Sequence, residues 1–360
     1  MVFSSLKLGL LGLAATEGVR VKMNSTTGWT QGTYTTGYWD CCKPSCSWPG
    51  KGHVNHPTLS CDVDGNKLQD ANVASVCDGG TASSCADNKP FLVNSGLSMG
   101  FAAAAVGGVN GLNGDENCGQ CYELRFTDEK HDPNGDNWGG SHPDLAGKTM
   151  VIQVTNIGYD VTGDHSFDLQ IPGAGQGIFD QGCKKQFPGH QSGDFDCDNN
   201  YGGCDTKSGC SRLPKALQAG CEWRYDWYRW LAAGGQTNNP YVQFRRVQCP
   251  SQLTDISGSV PTDDASHPAI NVNDYGPSPS PSPSPTPHTP TPAPAPASCT
   301  SQDKDPFKTG SEVKCCDGLQ KCLGDWSGNG NWHYNCKKSC GSSLLSHKRT
   351  LGKAQQHIQK

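Results

Sequence analysis

Two aspartates stand in sequence surroundings that favour acid–base chemistry. Asp40 follows the aromatic pair Tyr38-Trp39 and precedes the adjacent cysteines Cys41-Cys42, which would immobilise it if both form disulfides. Asp168 lies in the run HSFDLQIPG, just before a glycine-rich stretch at 173–177 where a polymer could approach the backbone closely. Hydrolysis of an acetal requires two such carboxyl groups, one to protonate the leaving oxygen and one to activate water or attack carbon. With 34 acidic residues in the chain, residue type alone does not assign this role.

The elements predicted to hold these groups are short β-strands separated by Gly- and Asp/Asn-rich loops. β-Branched and aromatic residues predict strands at Tyr122–Thr127, Met150–Thr155 and Tyr241–Val247. The alanine-rich run Leu97–Ala105 is predicted to be a helix, and a shorter helix is predicted at Leu213–Ala219. Short strands joined by long loops predict an all-β fold, a small barrel with short helices.

The chain has 20 cysteines, an even number that indicates an oxidising compartment. Cys118 and Cys121 form a C-x-x-C pair, but no second such pair follows at zinc-ribbon distance. Disulfides are therefore favoured over structural zinc. We expect no metal and no organic cofactor.

The N-terminus is typical of an exported protein. Lys7 precedes an apolar run, residues 8–15, that resembles a short signal peptide, so we predict a signal at 1–15 and an N-terminal extension at 16–34. The run is too short to span a bilayer, and we predict a secreted, extracellular protein without a membrane partner. The net charge of −5, without a long basic block, gives no support for nucleic-acid binding.

A proline-rich segment divides the chain. Proline occupies nearly every second position of residues 277–297, which favours extended polyproline II over helix or sheet. We predict a linker at 251–298, a Cys-rich module at 299–340 and a disordered tail at 341–360. Fourteen cysteines precede the linker and six follow it, so each side can close its own disulfides.

The second module carries three aromatics in a Gly/Asn-rich stretch: Trp326, Trp332 and Tyr334. A module this small cannot bury a sizeable core, so disulfides must hold it. It loosely resembles small cellulose-binding or dockerin-like modules, and aromatics can stack on the flat face of cellulose. Protein docking, or a core made of these aromatics, remain alternatives.

The first module resembles glycoside hydrolase family 45, the endoglucanase V type, over about residues 35–250. The resemblance rests on a series of runs in order along the chain: 36-TGYWDCCKPSC-46, 121-CYELRFT-127, 167-FDLQIPGAGQGIFDQGC-183, 221-CEWRYDWY-228 and 245-RRVQCP-250. It implies a six-stranded double-psi β-barrel with long disulfide-stapled loops and short helices. It also implies a secreted endo-β-1,4-glucanase that hydrolyses cellulose and related β-glucans by an inverting single displacement, as a monomer.

The resemblance assigns roles to the two aspartates. Asp40 matches the general base and Asp168 the general acid, with Phe167 beside it as a source of desolvation. Asp160 falls near the family's assisting aspartate, and because this segment is one residue longer than usual, Asp164 is the local alternative.

The resemblance also points to substrate-binding residues. Thr36 and Tyr38 flank the base, and Trp48 matches an aromatic sugar platform. Lys43 matches a family lysine that either holds a carboxylate or fixes the loop.

Departures from the family pattern predict seven disulfides in the catalytic module, with Cys197 and Cys204 as a possible pair in an enlarged loop at 189–205. The main rival function is a non-hydrolytic, expansin-like wall-loosening or carbohydrate-binding protein. Such proteins have a similar barrel and can share an acid that resembles Asp168, but they lack the Tyr-Trp-Asp-Cys-Cys segment that contains Asp40.

Overall fold

The computed structural model describes residues 28–109, 112–129, 145–158, 165–229, 239–275, 302, 315–326 and 332–338; for 321–326 and 332–335 it describes the backbone alone. Several predicted features lie outside the described residues: the signal peptide at 1–15, Asp160, Asp164, the proline-rich run at 277–297 and the tail at 341–360.

The described chain is mostly β, with twelve strands and three short α-helices. The strands are β1 Thr30–Tyr34, β2 Thr36–Tyr38, β3 Ser60–Cys61, β4 Lys67–Leu68, β5 Phe91–Asn94, β6 Leu97–Val106, β7 Cys121–Phe126, β8 Thr149–Ile157, β9 His165–Gln170, β10 Tyr241–Val247, β11 Gln320–Trp326 and β12 Trp332–Lys337. The α-helices are α1 Gly182–Gln186, α2 Lys215–Asp226 and α3 Ser251–Ser257. Single 3-10 turns lie at Ser45–Ser47, Val76–Asp78, Ala86–Asn88, Gly114–Asn117, Ser192–Asp194, Lys207–Arg212, Asp264–Ser266 and Val272–Tyr275.

One eight-stranded sheet forms the body of the molecule, in the order β1-β10-β7-β8-β6-β9-β2, with β5 paired to β6. The pairs β6–β8 and β2–β9 are parallel, and the other pairs of the sheet are antiparallel. The sheet curves so that β1 comes close to β9, although these strands are far apart in the strand order. Thr33 Oγ1 on β1 donates to the carbonyl oxygen of His165 on β9 at 3.5 Å. The mostly-β class and the three predicted strands are confirmed, within one or two residues at their ends.

The helix predicted at Leu97–Ala105 is wrong, because this run is the ten-residue strand β6. β6 lies between β8 and β9, with nine of its ten residues buried. Alanine favours a helix by only a few tenths of a kcal/mol per residue, and strand pairing on two sides outweighs that preference. The helix predicted at Leu213–Ala219 exists, but it begins at Lys215 and continues to Asp226.

The main core lies on one face of the sheet, where the rings of Tyr122, Phe167 and Phe244 meet. Phe167 is 5.5 Å from Tyr122 and 5.2 Å from Phe244, measured between ring centroids, and all three are fully buried. A second buried cluster contains Trp39 and Phe195 together with several disulfides. Aromatic packing of this kind fixes β9 against β7 and β10.

The folded unit extends beyond the predicted catalytic boundaries of 35 and 250. β1 lies within the predicted N-terminal extension and pairs with β10. After residue 250, α3 buries Leu253, and the segment to Tyr275 packs against a third core cluster around β6 and β8. The linker therefore does not begin at residue 251, because residues 251–275 cover apolar surface of the sheet.

Seven disulfides join all fourteen cysteines before the linker, which confirms their predicted number and the Cys197–Cys204 pair. They are Cys41–Cys183, Cys42–Cys77, Cys46–Cys118, Cys61–Cys85, Cys121–Cys249, Cys197–Cys204 and Cys210–Cys221. After the linker, β11 and β12 form a hairpin in which Trp326 and Trp332 are register partners, and Cys315 is bonded to Cys336. None of the helices in the described ranges is long and apolar enough to cross a membrane.

Candidate active site

The parallel pair of β2 and β9 places Asp168 beside Thr36, four residues before Asp40. Thr36 is the register partner of Asp168, and Tyr38 is the register partner of Gln170. Register partners in adjacent strands direct their side chains to the same face, and the direction alternates along each strand. Asp40 lies two residues beyond Tyr38, the last residue of β2. Both aspartates are half-buried.

The backbone around Asp40 is tightly held. Its Oδ1 accepts a hydrogen bond from the backbone N–H of Cys42 at 3.0 Å, and the N–H of Trp39 donates to the carbonyl oxygen of Gly175 at 2.8 Å. Cys41 has a φ of 60°, in the left-handed region that non-glycine residues rarely adopt. This conformation turns the chain sharply after Asp40, and the surrounding bonds keep it there.

Two disulfides and the helix α1 also hold the turn that follows Asp40. Cys41 is bonded to Cys183 of α1, and Cys42 is bonded to Cys77. At Gly182, an added Cβ would lie 2.5 Å from the carbonyl oxygen of Asp40, so only glycine permits this close packing of α1. The prediction that the adjacent cysteines immobilise Asp40 agrees with this arrangement.

Asp168 lies between Thr36 on β2 and Ala103 on β6, its two register partners. The small side chain of Ala103 leaves room beside the carboxyl group. Phe167, predicted to desolvate Asp168, instead points to the opposite face and packs in the main core. Burial raises the pKa of Tyr228, and the negative charge of Asp168 adds to that increase, so the two groups interact electrostatically.

The sequence analysis missed Asn156, which positions Tyr38. The Nδ2 of Asn156 donates to the hydroxyl of Tyr38 at 3.2 Å, and its Oδ1 accepts from the backbone N–H of Ser45 at 3.0 Å. Asn156 is also a register partner of Ala103, just after an irregularity in the β6–β8 pairing. A polar residue near the end of an otherwise apolar strand was the signal that could have identified it.

Gln170 is a second residue that the sequence analysis missed. It is 2% exposed, and it accepts from Thr155 Oγ1 at 3.3 Å and donates through Nε2 to Ser84 Oγ at 3.0 Å. Ser84 Oγ in turn donates to the carbonyl oxygen of Cys42 at 2.9 Å. This buried chain of hydrogen bonds connects β8 and β9 to the turn after Asp40.

Lys43 fixes a loop. It is 5% exposed, and its Nζ donates to the carbonyl oxygens of Ala71 and Val73, both at 2.8 Å. The same Nζ lies 3.3 Å from the ring centroid of Trp48, a cation–π contact. Burial lowers the pKa of Lys43 to about 8, and the nearby charge of Asp70 opposes part of this decrease. Of the two predicted roles, these contacts support loop fixation.

The remaining predicted residues are placed as follows. Thr36 and Trp48 are half-buried. Asp160 and Asp164 lie outside the described residues, as do the side chains of Trp326, Trp332 and Tyr334. Within the described ranges, no group of three or more His, Cys, Asp or Glu side chains is arranged to hold a metal ion.

Comparisons with known proteins identify the family of this chain. The family model for Glycosyl hydrolase family 45 matches residues 32–260. An endoglucanase of Cryptopygus antarcticus is 40% identical over 236 residues, which is 65% of this chain and 92% of that protein. An endoglucanase of Phaedon cochleariae is 39% identical over 231 residues, or 62% of this chain and 81% of that protein.

A third relative and a solved structure extend the comparison. Endoglucanase B of Cellvibrio japonicus is 37% identical over 248 residues, and the matched region spans 62% of this chain but only 45% of that longer protein. The crystal structure of a cellulase from the Antarctic springtail Cryptopygus antarcticus superimposes with a TM-score of 0.52 at 39% identity, covering 65% of this chain and 99% of that one. The chain therefore belongs to glycosyl hydrolase family 45.

Proposed function

We propose that this glycoside hydrolase is an endo-β-1,4-glucanase that cleaves internal bonds of cellulose and related β-glucans by inversion. The observation that carries the proposal is the parallel pairing of β2 with β9, which places Asp168 beside Thr36, four residues before Asp40. The family match and the relatives named as endoglucanases support the substrate class.

The proposed inversion requires room for a water molecule between the two carboxyl groups. Asp40 lies four residues beyond Thr36, the register partner of Asp168, so its α-carbon is at most about 13 Å further along the chain. The side chains can shorten this α-carbon separation toward the about 6.5–9.5 Å that inverting enzymes use between carboxyl groups. That gap accommodates a water molecule, whereas retaining enzymes use about 5 Å.

In this proposal, Asp168 protonates the departing glycosidic oxygen while Asp40 removes a proton from the attacking water. The bond from Cys42 N–H to Asp40 Oδ1 favours the ionised form that a base requires. Asp160, from the segment between β8 and β9 in the sequence, assists. Thr36 and Tyr38 contact the sugar near the scissile bond.

Trp48 offers a ring face to a glucose unit. The Nζ of Lys43 covers the ring's other face and holds it in place.

A cello-oligosaccharide digest followed by NMR tests the mechanism. We expect internal cleavage with the α-anomer as the first product at the new reducing end. Initial formation of the β-anomer would contradict inversion. Binding to cellulose without any release of reducing ends would favour the expansin-like alternative.

Secretion is part of the proposal, since seven disulfides before the linker suit an oxidising compartment. We further propose that the curved sheet is a six-stranded double-psi β-barrel with added strands, and that the enzyme acts as a monomer. The family resemblance supports the barrel topology. Gel filtration at several protein concentrations tests the monomer.

We also propose that the module after the linker binds cellulose through Trp326, Trp332 and Tyr334. The register pair of Trp326 and Trp332 across the β11–β12 hairpin supports the idea, because it places the two residues close together. A pull-down on crystalline cellulose with the full chain and its Trp332→Ala variant tests it. Unchanged retention by the variant would contradict this role for Trp332.

A further inference from the structure

Asp196 and Gln176 form a buried pair that the proposed mechanism does not use. Asp196 lies in the loop at 189–205 and is 1% exposed, and Gln176 lies in the glycine-rich turn at 173–177 and is 2% exposed. Gln176 Nε2 donates to Asp196 Oδ2 at 2.7 Å and to the carbonyl oxygen of Ser192 at 2.9 Å. The pair therefore joins the loop to the turn.

The second oxygen of each group is buried without a hydrogen bond. Within the described ranges, neither Asp196 Oδ1 nor Gln176 Oε1 has a hydrogen-bond partner. Both atoms are acceptors if the carboxyl group is ionised, and two buried acceptors without a donor cost free energy. A proton on Oδ1 provides the missing donor. A carboxylic acid and a primary amide can then exchange two hydrogen bonds in one ring.

Among the residues that the structure describes, none is a direct cationic partner of Asp196. The charged or titratable groups nearby are Asp198 in the same loop, Asp194 with its partners His190 and Arg212, Asp180 after the turn, and Arg224 of α2, which donates to the carbonyl oxygens of Gly173 and Gly202. Arg212 forms ion pairs with Asp194 and Asp198.

The pKa of Asp196 follows from these surroundings. Burial raises it, and the like charge of Asp198 adds to the increase. The hydrogen bond from Gln176 and the backbone N–H groups of Asp198 and Asn199 oppose part of that increase.

We propose that Asp196 is a protonated positioning residue, closing a cyclic acid–amide pair with Gln176 and so fixing the glycine-rich turn that supports Asp40. The turn at 173–177 lies between the loop at 189–205 and Trp39, the residue before Asp40. Gly175 accepts from Trp39 N–H at 2.8 Å on one side, and Gly177 N–H donates to the carbonyl oxygen of Asn200 at 2.8 Å on the other. An added Cβ at Gly175 would lie 2.6 Å from that same oxygen, which shows how closely loop and turn pack.

The pair makes the loop sensitive to pH in a defined direction. The native state keeps the proton to a higher pH than the unfolded chain, because the pKa of Asp196 is raised above its ordinary 3.8. The contribution of Asp196 to stability is therefore complete below about pH 4 and is lost as the pH rises through the native pKa. Ionisation removes one hydrogen bond of the ring and leaves two acceptors facing each other.

The experiment compares Asp196→Asn and Asp196→Ala with the wild-type full chain. Asparagine keeps both hydrogen bonds of the ring and cannot ionise, whereas alanine removes them. We expect Asp196→Asn to keep the wild-type Tm at acidic pH and to lose the decline at higher pH. At a pH above the native pKa of Asp196, the Tm of the wild type should be lower than that of Asp196→Asn. The difference should be about 3–5 °C for each unit by which the pKa is raised. Asp196→Ala should have a lower Tm than both at acidic pH.

Two further measurements report on the proton and on the turn. The infrared difference spectrum between the wild type and Asp196→Asn should show the carbonyl band of one protonated carboxylic acid above pH 4. Hydrolysis of a soluble β-glucan by the wild type should decline at high pH more steeply than hydrolysis by Asp196→Asn. This last readout alone rests on the proposed function, so an inactive wild type would count against that function while Tm and the infrared band still test Asp196.

Three outcomes would overturn the inference. Asp196→Asn could lose as much Tm as Asp196→Ala at acidic pH, which would mean that the carboxylate charge is required. The infrared carbonyl band could be missing from the difference spectrum between the wild type and Asp196→Asn. Alternatively, a chelator could lower the wild-type Tm and Ca²⁺ restore it, with Asp196→Asn insensitive, which would mean that the two oxygens hold a cation.

Discussion

Asp168 on β9 is the register partner of Thr36 on β2, and Asp40 follows Thr36 by four residues, two beyond the end of β2. The pairing of β2 with β9 thus joins two segments that are far apart in the chain. The short strand β2 contributes little to the core, but it sets this relationship. A shift of one residue in its register would turn Thr36 and Tyr38 to the opposite face.

Asp168→Asn and Asp40→Asn should each abolish most hydrolysis without unfolding the protein. The asparagine amide can neither donate nor accept the proton, and general acid–base catalysis is worth about 10²–10⁴-fold in rate. Reducing-end release from soluble cellulose measures the loss, and binding of a cello-oligosaccharide should persist.

Asp255→Asn is the matched control for these variants. Asp255 is exposed on α3, outside the sheet, and its replacement should leave the rate unchanged. An Asp40 or Asp168 variant as active as this control would remove that residue from the mechanism.

Lys43→Met should destabilise the protein by about 2–3 kcal/mol, because two carbonyl oxygens lose a charged donor. The pKa of Lys43 is lowered from 10.5 to about 8, so between these values the native state holds fewer protons than the unfolded chain. The lysine's contribution to stability accordingly rises with pH over about 8–10.5. Chemical denaturation of wild type and variant across this window measures the difference.

Lys184→Met serves as the control for Lys43, since Lys184 is exposed on α1.

If Trp48 is a sugar platform, wild-type KM should increase above pH 8, where the cation–π contact between Lys43 and Trp48 loses its charge. A flat KM in the wild type through pH 8 would argue against that use of the contact.

Removing single disulfides should destabilise the fold in proportion to the loop that each closes. Cys121–Cys249 spans 128 positions and Cys197–Cys204 spans seven. The chain-entropy relation gives about 5 kcal/mol for the first and about 2.5 kcal/mol for the second. Paired Cys→Ser variants measured by denaturant unfolding test the order, and equal losses would indicate that strain or solvation dominates.

A chain that ends after residue 275 should be as stable as the same folded unit in the full chain. A chain that ends after residue 250 should be less stable. The longer version keeps Leu253, Ile256, Ile270, Val272 and Tyr275 against the sheet. Tyr275 also donates to Glu123 Oε1 at 2.8 Å. Tm and aggregation of the two truncated chains measure the effect, and equal Tm values would show that residues 251–275 are dispensable.

Local sequence patterns predicted several elements well, and failed where alanine was involved. The strand at Tyr241–Val247 was predicted to the residue, because β-branched and aromatic residues dominate it. The run Leu97–Ala105 misled, because its preference for a helix is local while its pairing with β8 and β9 comes from distant residues. The predicted domain end at residue 250 was wrong for a related reason. The residues after α3 resemble a linker in sequence, but their apolar side chains pack against the sheet.

The sequence by itself determined the adjacent cysteines and the proline-rich run, and it predicted the acids Asp40 and Asp168, because these depend on residue type and short spacing. Only the tertiary structure decided which groups surround them. Strand register turned Phe167 away from Asp168 and brought Asn156 to Tyr38. Loop packing buried Asp196 against Gln176. Such contacts join residues far apart in the chain, and their energies depend on burial and direction, which no local pattern specifies.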